Sequence, residues 1–350
     1  MTTRTSNASS ENAGNAPHQV TQRVRYSDAI SVVIPTKNRP HDVLKAISSV
    51  ENQSSRPAEI VIVDASDEDG LEALVNNNSS GEIRIEYIRS VAGLTHQKNI
   101  GIQKSSGDIV LVLDDDIILK EDYVKEILNV FNNTDFNRIG CVYGNQIPPN
   151  EGKNNVRKKG SFAYSITVAL KTRINTLIRT LFFLQKPSTT GKFRLSGYST
   201  YPAPSNPGAN VSETEGAPGG YTAYSREVWD EFRFDENLKG YSWGEDDDFS
   251  VRVSRKYKNI FNPKAKVIHH SKSSKGANYA YSKMRIENHH YLFEKNFPHA
   301  LRNRFAYNMS VLGTFLFELE NAIVHRNSEG VKGFLDGLRV VHKKTIRGGA

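Results

Sequence analysis

Three consecutive carboxylates, Asp114, Asp115 and Asp116, follow the apolar run "IVLVL". Adjacent ionised carboxylates repel each other, and they are costly to desolvate at the end of a buried strand. A divalent cation would compensate, because Mg²⁺ and Mn²⁺ prefer oxygen ligands, commonly one or two carboxylates with substrate phosphates. In an extended segment Asp114 and Asp116 would point the same way and share the cation, while Asp115 faces elsewhere. Alone, the triplet leaves a metal site and a solvated turn equally open.

A second acidic run, "GEDDDFSVRVSRK", begins at Gly244. Acidic side chains in the first turn of a helix are favoured by the helix dipole, which accounts for one or two of its four carboxylates. The alternative is a general base that takes the proton from an attacking hydroxyl. Tyr241 and Trp243 precede the run, and the sequence leaves open whether they stack on a ligand or pack in the core.

Two histidines, His269 and His270, end the apolar stretch "AKVI". A histidine after a strand is most often a core or hydrogen-bonding residue. Beside an acidic metal site, a neutral imidazole can instead be a third ligand. The sequence shows neither the Cys/His spacing typical of zinc sites nor a glycine-rich phosphate loop.

The elements that must position these residues alternate between strand and helix patterns. "AISVVIP", "EIVIVDAS" and "DIVLVLDDD" predict buried strands, and "HDVLKAISSVENQ" and "THQKNIGIQKSS" predict the helices between them. This alternation predicts an α/β fold: a Rossmann-like, mostly parallel mixed sheet with helices on both faces. Ligands bind such sheets at the carboxyl ends of the strands, where Thr36–Arg39, Asp64–Asp67 and Asp114–Asp116 fall.

The charge of the chain is concentrated in one segment. The net charge is +8, yet Gly152–Ser212 contains ten Lys and Arg and no Asp or Glu, so the rest of the chain is slightly acidic. The helical stretch in this segment either packs on the domain or contacts an anionic membrane surface through Phe182, Phe183 and Leu184. Nucleic acid is not expected, because no binding motif accompanies the charge.

The bulk composition indicates a protein of the reducing cytoplasm. Cys141 is the single cysteine among 350 residues, and the polar N-terminus "MTTRTSNASS" lacks the apolar region of a secretory signal. We therefore expect a cytoplasmic location, with peripheral attachment to the inner face of the cell membrane left open.

Taken in order, the motifs resemble those of the inverting family 2 glycosyltransferases of GT-A fold. "SVVIPTKNRP" is similar to the opening strand of that family, and "EIVIVDASDEDG" to its second strand. "GLTHQKNIGIQKSSGDIVLVLDDD" and "GGYTAYSREVW" resemble the two segments that follow, and "FDENLKGYSWGEDDDFSVRV" its acidic "ED" motif. The resemblance covers about Ile30–His270. It implies a nucleoside-diphosphate sugar donor (UDP-, GDP- or dTDP-linked), a Mg²⁺ or Mn²⁺ cofactor, and a sugar or lipid-linked acceptor.

The resemblance also implies a role for each matching residue. Asp246 would be the catalytic base with Glu245 beside it, and Tyr241 and Trp243 would meet the acceptor. The metal would be bound by Asp114, Asp116 and either His269 or His270. The donor-binding residues would be Pro35, Thr36, Asn38, Arg39, Asp64, Lys98, Asp114 and Asp115. Lys98 stands where the family has arginine and would face the diphosphate.

The expected organisation has four parts. Residues 1–27 form a disordered tail, and residues 28–150 the nucleotide-sugar-binding half of the GT-A domain. Residues 151–280 form its acceptor-binding half, with the basic amphipathic insertion at about 152–212. Residues 281–350 form a helical C-terminal region.

The expected function is metal-dependent, inverting transfer of a sugar to an acceptor hydroxyl, with a lipid-linked or polysaccharide acceptor. A sugar-phosphate nucleotidyltransferase is the enzymatic alternative, although "PTKNRP" is not the glycine-rich loop usual for that class. A non-catalytic sugar- or membrane-binding relative is the other.

Overall fold

A computed structural model of the protein describes residues 30–133, 136–149, 173–184, 191–200, 210–239, 241–270 and 278–348. The expected tail at 1–27 and most of the basic insertion lie outside the described residues. The predictions about these two segments therefore remain predictions.

A mixed sheet forms the centre of the molecule. Its strands are β1 (Ile30–Thr36), β2 (Glu59–Asp64), β3 (Arg84–Arg89), β4 (Ile109–Leu113), β5 (Ile117–Leu119), β6 (Ile139–Ile147), β7 (Ser212–Thr214), β8 (Tyr221–Ser225) and β9 (Lys258–His269). Their order is β3-β2-β1-β4-β8-β6-β9-β5, with β7 paired to β9. The first four strands are parallel, β8 is antiparallel to both β4 and β6, and β9 runs parallel to β6.

Helices cover both faces of this sheet. They are α1 (Pro40–Glu51), α2 (Leu71–Asn78), α3 (Leu94–Lys104), α4 (Tyr123–Asn133), α5 (173–181), α6 (Arg226–Glu231), α7 (Glu245–Val253), α8 (Tyr279–Asn296), α9 (Leu301–His325) and α10 (Glu329–Gly348). Val32 and Ile34 of β1 join the buried cluster under α1, α2 and α4, while Val33 joins the cluster on the opposite face. The predicted fold class, a mixed α/β sheet followed by C-terminal helices, is confirmed.

Strand register places the functional candidates at one edge of the sheet. Thr36 at the end of β1 pairs with Asp64 at the end of β2, and β4 ends beside them at Leu113. The chain turns at residues 114–116 and continues as β5, which pairs antiparallel with β9 so that Ile117 lies opposite His269. Two segments far apart in sequence, the acidic triplet and the histidine pair, therefore become neighbours.

The C-terminal helices are attached to the sheet domain next to α7. Lys295 and Asn296 of α8 contact Asp248 Oδ1 at 2.9 and 2.8 Å, and Asn288 Nδ2 donates to Trp243 O at 3.0 Å. Among the described helices, none combines the length and apolarity needed to cross a membrane.

The end of α5 packs on α9 rather than projecting outward. Leu184 is buried, Phe182 and Phe183 are partly buried, and Phe182 lies against Gly313 of α9. Of the two alternatives that the sequence left open for these side chains, this conformation shows packing on the protein, and contact with a membrane remains a prediction.

Glu59 is a buried carboxylate whose charge we expect to stabilise the fold. Burial alone would raise its pKa, but hydrogen bonds from Ser31 and Ser106 and contact with Arg84 outweigh burial and lower the pKa to about 2. Because the folded pKa lies below the unfolded one, this stabilisation is present above about pH 5 and is lost as the pH falls towards 2.

The variant Glu59→Gln should lower the free energy of unfolding at pH 7 by about 1–3 kcal/mol, since it removes the charge that the Ser31 and Ser106 donors and Arg84 stabilise. Urea unfolding from pH 7 down to pH 3 should show this difference shrinking. The exposed Glu68→Gln variant should behave like the wild type. A difference that is constant with pH would contradict the assignment.

Candidate active site

A cavity of about 1040 Å³ opens at the carboxyl ends of β1 and β4. Its lining includes these residues predicted from the sequence: Pro35, Thr36, Arg39, Asp114, Asp115, Asp116, Tyr241, Trp243, Glu245, Asp246 and His269. Asn38, Asp64, Lys98 and His270 are not part of the lining. The structure thus brings most of the predicted residues together around one space and leaves four outside it.

The acidic triplet lies in a turn, and its side chains diverge towards three different strands. The expectation of an extended segment with Asp114 and Asp116 on one side is wrong, because β4 already ends at Leu113. Asp114 lies against Gly220, which leads into β8, Asp115 bonds to Thr36 of β1, and Asp116 contacts His269 of β9.

Asp114 depends on the close approach of a glycine. Its backbone N–H donates to Gly220 O at 2.9 Å, and a Cβ on Gly220 would lie only 2.3 Å from Asp114 Oδ2. Asp114 Oδ1 is buried and accepts no hydrogen bond from the described residues, and it lies 3.7 Å from Lys98 Nζ. A buried carboxylate oxygen without a hydrogen-bond donor is unusual, and a cation is a natural partner for it.

Asp115 is buried in the wall of the cavity, which corrects the expectation that it faces elsewhere. The Thr36 hydroxyl donates to its Oδ2 at 2.8 Å, and Arg39 Nη1 donates to its Oδ1 at 2.9 Å. Burial raises the pKa of Asp115 to about 6, although the bonds from Thr36 and Arg39 act in the opposite direction. Asp115 thereby holds Arg39 at the edge of the acidic cluster.

Asp116 and His269 form a contact at the same edge. His269 Nε2 lies 3.2 Å from Asp116 Oδ1, and Arg39 Nη1 lies 3.2 Å from Asp116 Oδ2. The hydrogen bond to Asp116 raises the pKa of His269, with burial opposing it. Of the two candidate histidines only His269 lines the cavity, because β9 alternates its side chains and His270 is exposed.

Lys98 does not reach the cavity, which corrects the expectation that it faces a diphosphate. Its side chain is fully buried, and its ammonium donates to Glu245 Oε1 at 2.7 Å and to Gly219 O at 3.0 Å. The carboxylates of Glu245 and Asp114 raise the pKa of Lys98, although burial alone would lower it. Lys98 is therefore a charged support behind the cavity wall.

The acidic run forms the first turn of α7. Gly244 precedes the helix with a φ of 84°, a conformation that favours glycine, and the chain then enters α7 at Glu245. Burial and the neighbouring Asp246 raise the pKa of Glu245 to about 7, against the effect of Lys98. Asp246 and Asp247 line the cavity, while Asp248 points away and pairs with Arg252 at 2.7 Å.

Asp64 and Asn38 lie outside the cavity because each is held by local bonds. The Asp64 carboxylate is fully buried and accepts from Ser66, Tyr87 and Arg89 at distances of 2.5–2.8 Å. Asn38 Nδ2 donates to Asp67 Oδ2 at 2.7 Å. In this conformation, neither side chain is oriented towards a donor in the cavity.

Several lining residues were missed by sequence reasoning. They are Tyr143, Asn145, Gln146, Arg179, Gly219, Gly220, Asp247 and Tyr281. The glycine pair was visible in "GAPGGY", where two glycines before a strand indicate close approach of another group. Asp247 belongs to the acidic run that the sequence did single out, whereas the residues of β6, α5 and α8 carried no local signal, because these elements reach the cavity only through the tertiary fold.

Asp114 and Asp246 flank this glycine pair. A Cβ on Gly219 would lie 3.0 Å from Asp246 Cβ, and one on Gly220 would overlap Asp114. The two acidic walls are therefore separated only by the Gly219–Gly220 backbone. The aromatic side chains Tyr241, Trp243 and Tyr281 line the cavity as well, on the side of α8.

The donor set for a metal is incomplete in protein atoms alone. Within the described parts of the chain, no group of three or more His, Cys, Asp or Glu side chains is arranged to hold a metal ion. Asp114, Asp116 and His269 nevertheless offer hard oxygens and an imidazole at the edge of one cavity, and Asp114 Oδ1 has no donor among the described residues. Such a site fits a cation whose remaining ligands come from substrate phosphates.

Comparison with protein-family models matches residues 31–194 to glycosyl transferase family 2. Residues 31–194, just under half of the chain, form a family 2 glycosyltransferase domain. The family predicted from the sequence motifs is thus confirmed, and the cavity described above is lined by residues of this domain together with residues 218–281 that follow it.

Two curated relatives illustrate the similarity. A GalNAc(5)-diNAcBac-PP-undecaprenol beta-1,3-glucosyltransferase of Campylobacter jejuni is 31% identical over 126 residues, which are 35% of this chain and 40% of that protein. The poly(ribitol-phosphate) beta-N-acetylglucosaminyltransferase TarP of Staphylococcus aureus is 29% identical over 119 residues, 33% of this chain and 36% of that protein. The chain thus matches less than half the length of either relative.

Two solved structures share the fold. GalNAc-T7, crystallised with UDP, GalNAc and Mn²⁺, superposes with a TM-score of 0.52 at 17% identity, over 76% of this chain and 47% of that one. The mannosyltransferase PcManGT of Pyrobaculum calidifontis, in complex with GDP-Man and Mn²⁺, gives a TM-score of 0.50 at 14% identity, over 91% and 87%. At such low identity these likenesses establish the fold alone.

Removing Lys98 tests its role as a support. Lys98→Met should lower the free energy of unfolding by about 3–5 kcal/mol, because it leaves buried Glu245 without its cation. In Lys98→Met/Glu245→Met the loss should be smaller than the sum of the two single losses. Urea unfolding of the four proteins at pH 7.5 measures this coupling. Strictly additive losses would show that the pair does not interact.

Proposed function

We propose that this protein is a metal-dependent, inverting glycosyltransferase that moves a sugar from a nucleoside diphosphate to an acceptor hydroxyl. The observation that carries the proposal is the arrangement of Asp114 and Asp246 on either side of the Gly219–Gly220 backbone in one cavity. Asp114 is one of the candidate cation ligands, and Asp246 is the candidate base. Metal-assisted displacement at a sugar carbon needs a cation site and a base close to each other.

The donor occupies the edge beneath β1 and β4 in this proposal. Asp114, Asp116 and His269 would hold a Mg²⁺ or Mn²⁺ ion, which when bound neutralises the charge that develops on the departing diphosphate. Arg39 lines the same edge and provides a second positive charge for the phosphates. Pro35 and Thr36 form the adjoining wall, where the nucleoside would lie.

The acceptor approaches from the side of α7 and α8. Asp246 takes the proton from the acceptor hydroxyl as that oxygen attacks the anomeric carbon from the face opposite the diphosphate. The configuration at the carbon inverts, since the bond to the leaving oxygen breaks as the new bond forms. Tyr241 and Trp243 present aromatic faces on which an acceptor sugar can stack. Because the matched Campylobacter protein is named for a lipid-linked substrate, we propose a lipid-linked or polysaccharide acceptor.

Binding of a donor should raise the thermal stability of the protein only when a divalent cation is present. A panel of UDP-, GDP- and dTDP-sugars, each with Mn²⁺, should contain at least one that raises the Tm, because a ligand that binds the native state stabilises it. Excess EDTA should remove the shift. Asp116→Asn should abolish it, while Asp69→Asn, whose side chain is 98% exposed, should retain it. A full shift in EDTA would contradict the metal role.

Asp246→Asn should separate donor binding from turnover. The variant should bind the donor identified above with a Kd within about threefold of wild type, yet lower kcat by at least about a hundredfold, because it cannot accept the proton. Asp247→Asn is the matched control, since it removes the same charge from the same helical turn. Release of nucleoside diphosphate reports the rate. A wild-type rate in the Asp246→Asn variant would assign the base to another residue.

A further inference from the structure

The surface formed by α5 and α9 exposes an unusual number of large apolar side chains. We call it the apolar face; it comprises Ile174, Leu177, Leu181, Leu301, Phe305, Leu312, Leu316, Ile323 and Val324, each 43–88% exposed. On α9, positions 301, 305, 312, 316 and 323 follow the spacing of a single helical stripe. Apolar side chains in such a stripe normally pack against another surface.

The contacts between the two helices make this stripe one surface with α5. The Arg179 guanidinium lies over the Phe317 ring at 5.1 Å, and the rings of Phe183 and Phe305 are 6.5 Å apart. As the chain advances from Arg179 to Phe183, its contacts on α9 move back from Phe317 to Phe305, so the two segments run antiparallel. Leu177 and Leu181 remain 68% and 60% exposed beside this contact.

The charges around the apolar face are predominantly basic. α9 contains two acidic residues. Glu318 is buried, which leaves Glu320 as the one exposed carboxylate among the described residues of this helix. In the described part of Gly152–Ser212 the charged side chains, Arg173, Arg179, Lys192 and Arg194, are all basic. An apolar stripe with a basic rim complements an anionic lipid interface, which attracts arginine and accepts apolar side chains. The exposed arginines of this rim are Arg173 on α5 and Arg302, Arg304 and Arg326 at the ends of α9.

The apolar face is also connected to the cavity. Arg179 lines the cavity, and because it is two residues from both Leu177 and Leu181 it lies on the opposite side of α5 from them, so this short helix borders the cavity on one side and the apolar face on the other. One of the two aromatic residues assigned to the acceptor, Trp243, lines the cavity together with Tyr281. A bilayer under α5 would thus bring its headgroup region near the acceptor side of the cavity.

We propose that the apolar face docks on an anionic lipid bilayer and presents the cavity to an acceptor anchored in that bilayer. The docking follows from exposure, charge and helix contacts alone; only the reference to an acceptor rests on the proposed function. Docking requires no membrane-spanning segment, because amphipathic helices bind at the interface by burying apolar side chains among the headgroups.

The test measures binding of the full chain to vesicles of phosphatidylcholine with and without about one third phosphatidylglycerol. Wild-type protein should float with the anionic vesicles, and high salt should reduce the bound fraction. Leu177→Ser/Leu181→Ser and, separately, Phe305→Ser/Leu312→Ser should each lower the partition coefficient at least about tenfold. The control Leu74→Ser/Leu335→Ser replaces leucines that are 41% and 40% exposed elsewhere, and it should bind like wild type.

Three outcomes would overturn the docking proposal. Binding could be indifferent to anionic lipid, or equal in the face variants and the control. Alternatively, size-exclusion chromatography with light scattering could show a dimer that the face substitutions convert to a monomer without vesicle binding, which would assign the face to a second copy.

Donor turnover without acceptor separates this proposal from the proposed function. The face variants should release nucleoside diphosphate in solution at the wild-type rate. If vesicle binding follows the face substitutions but no form of the protein turns over a donor, the docking stands and the proposed function fails. If turnover is normal and vesicle binding is absent, the reverse holds.

Discussion

The candidate active site is organised around one buried positive charge. The Lys98 ammonium is bonded to Glu245 at the start of α7 and to the carbonyl of Gly219, and it lies 3.7 Å from the Asp114 carboxylate after β4. An ammonium without access to water is stable only with such partners, and a cluster of carboxylates packed this closely needs a cation. Three segments far apart in the sequence are thereby held in a fixed relation, and both acidic walls of the cavity take their positions from it.

The strands and helices nearest the N-terminus could be predicted from the sequence because their patterns are local. β1, β2 and β4 are continuous apolar runs that end in polar residues, as buried parallel strands do. The strand at Ile117–Leu119 could not be predicted, because three residues carry no periodic signal and its pairing partner lies about 150 residues later. That pairing decides which histidine meets the acidic triplet.

The orientation of side chains was harder to predict than their grouping. Asp115 and Asp64 do lie at strand ends, but burial and local hydrogen bonds determine where their carboxylates point. The resemblance to family 2 also led to a wrong prediction for Lys98, which was expected to face a diphosphate. The family's motif places this residue in α3, but the packing of α7 against the sheet determines that its side chain is buried. The sequence pattern therefore predicts which residues lie near each other, whereas the packing of the fold determines which side-chain atoms are in contact.

Two consecutive histidines stand where β9 ends: His269 is its last residue, and His270 follows it. In the observed register, Ile117 faces His269 and the imidazole meets Asp116. A slip by one residue exchanges the two faces of a strand, and it would normally replace a functional side chain with an unrelated one. Here the residue that would move into register is His270, another imidazole. The doublet thus provides redundancy in one direction: deletion of one residue upstream in β9 would bring the imidazole of His270 to this edge of the sheet, whereas an insertion would bring Ile268 there.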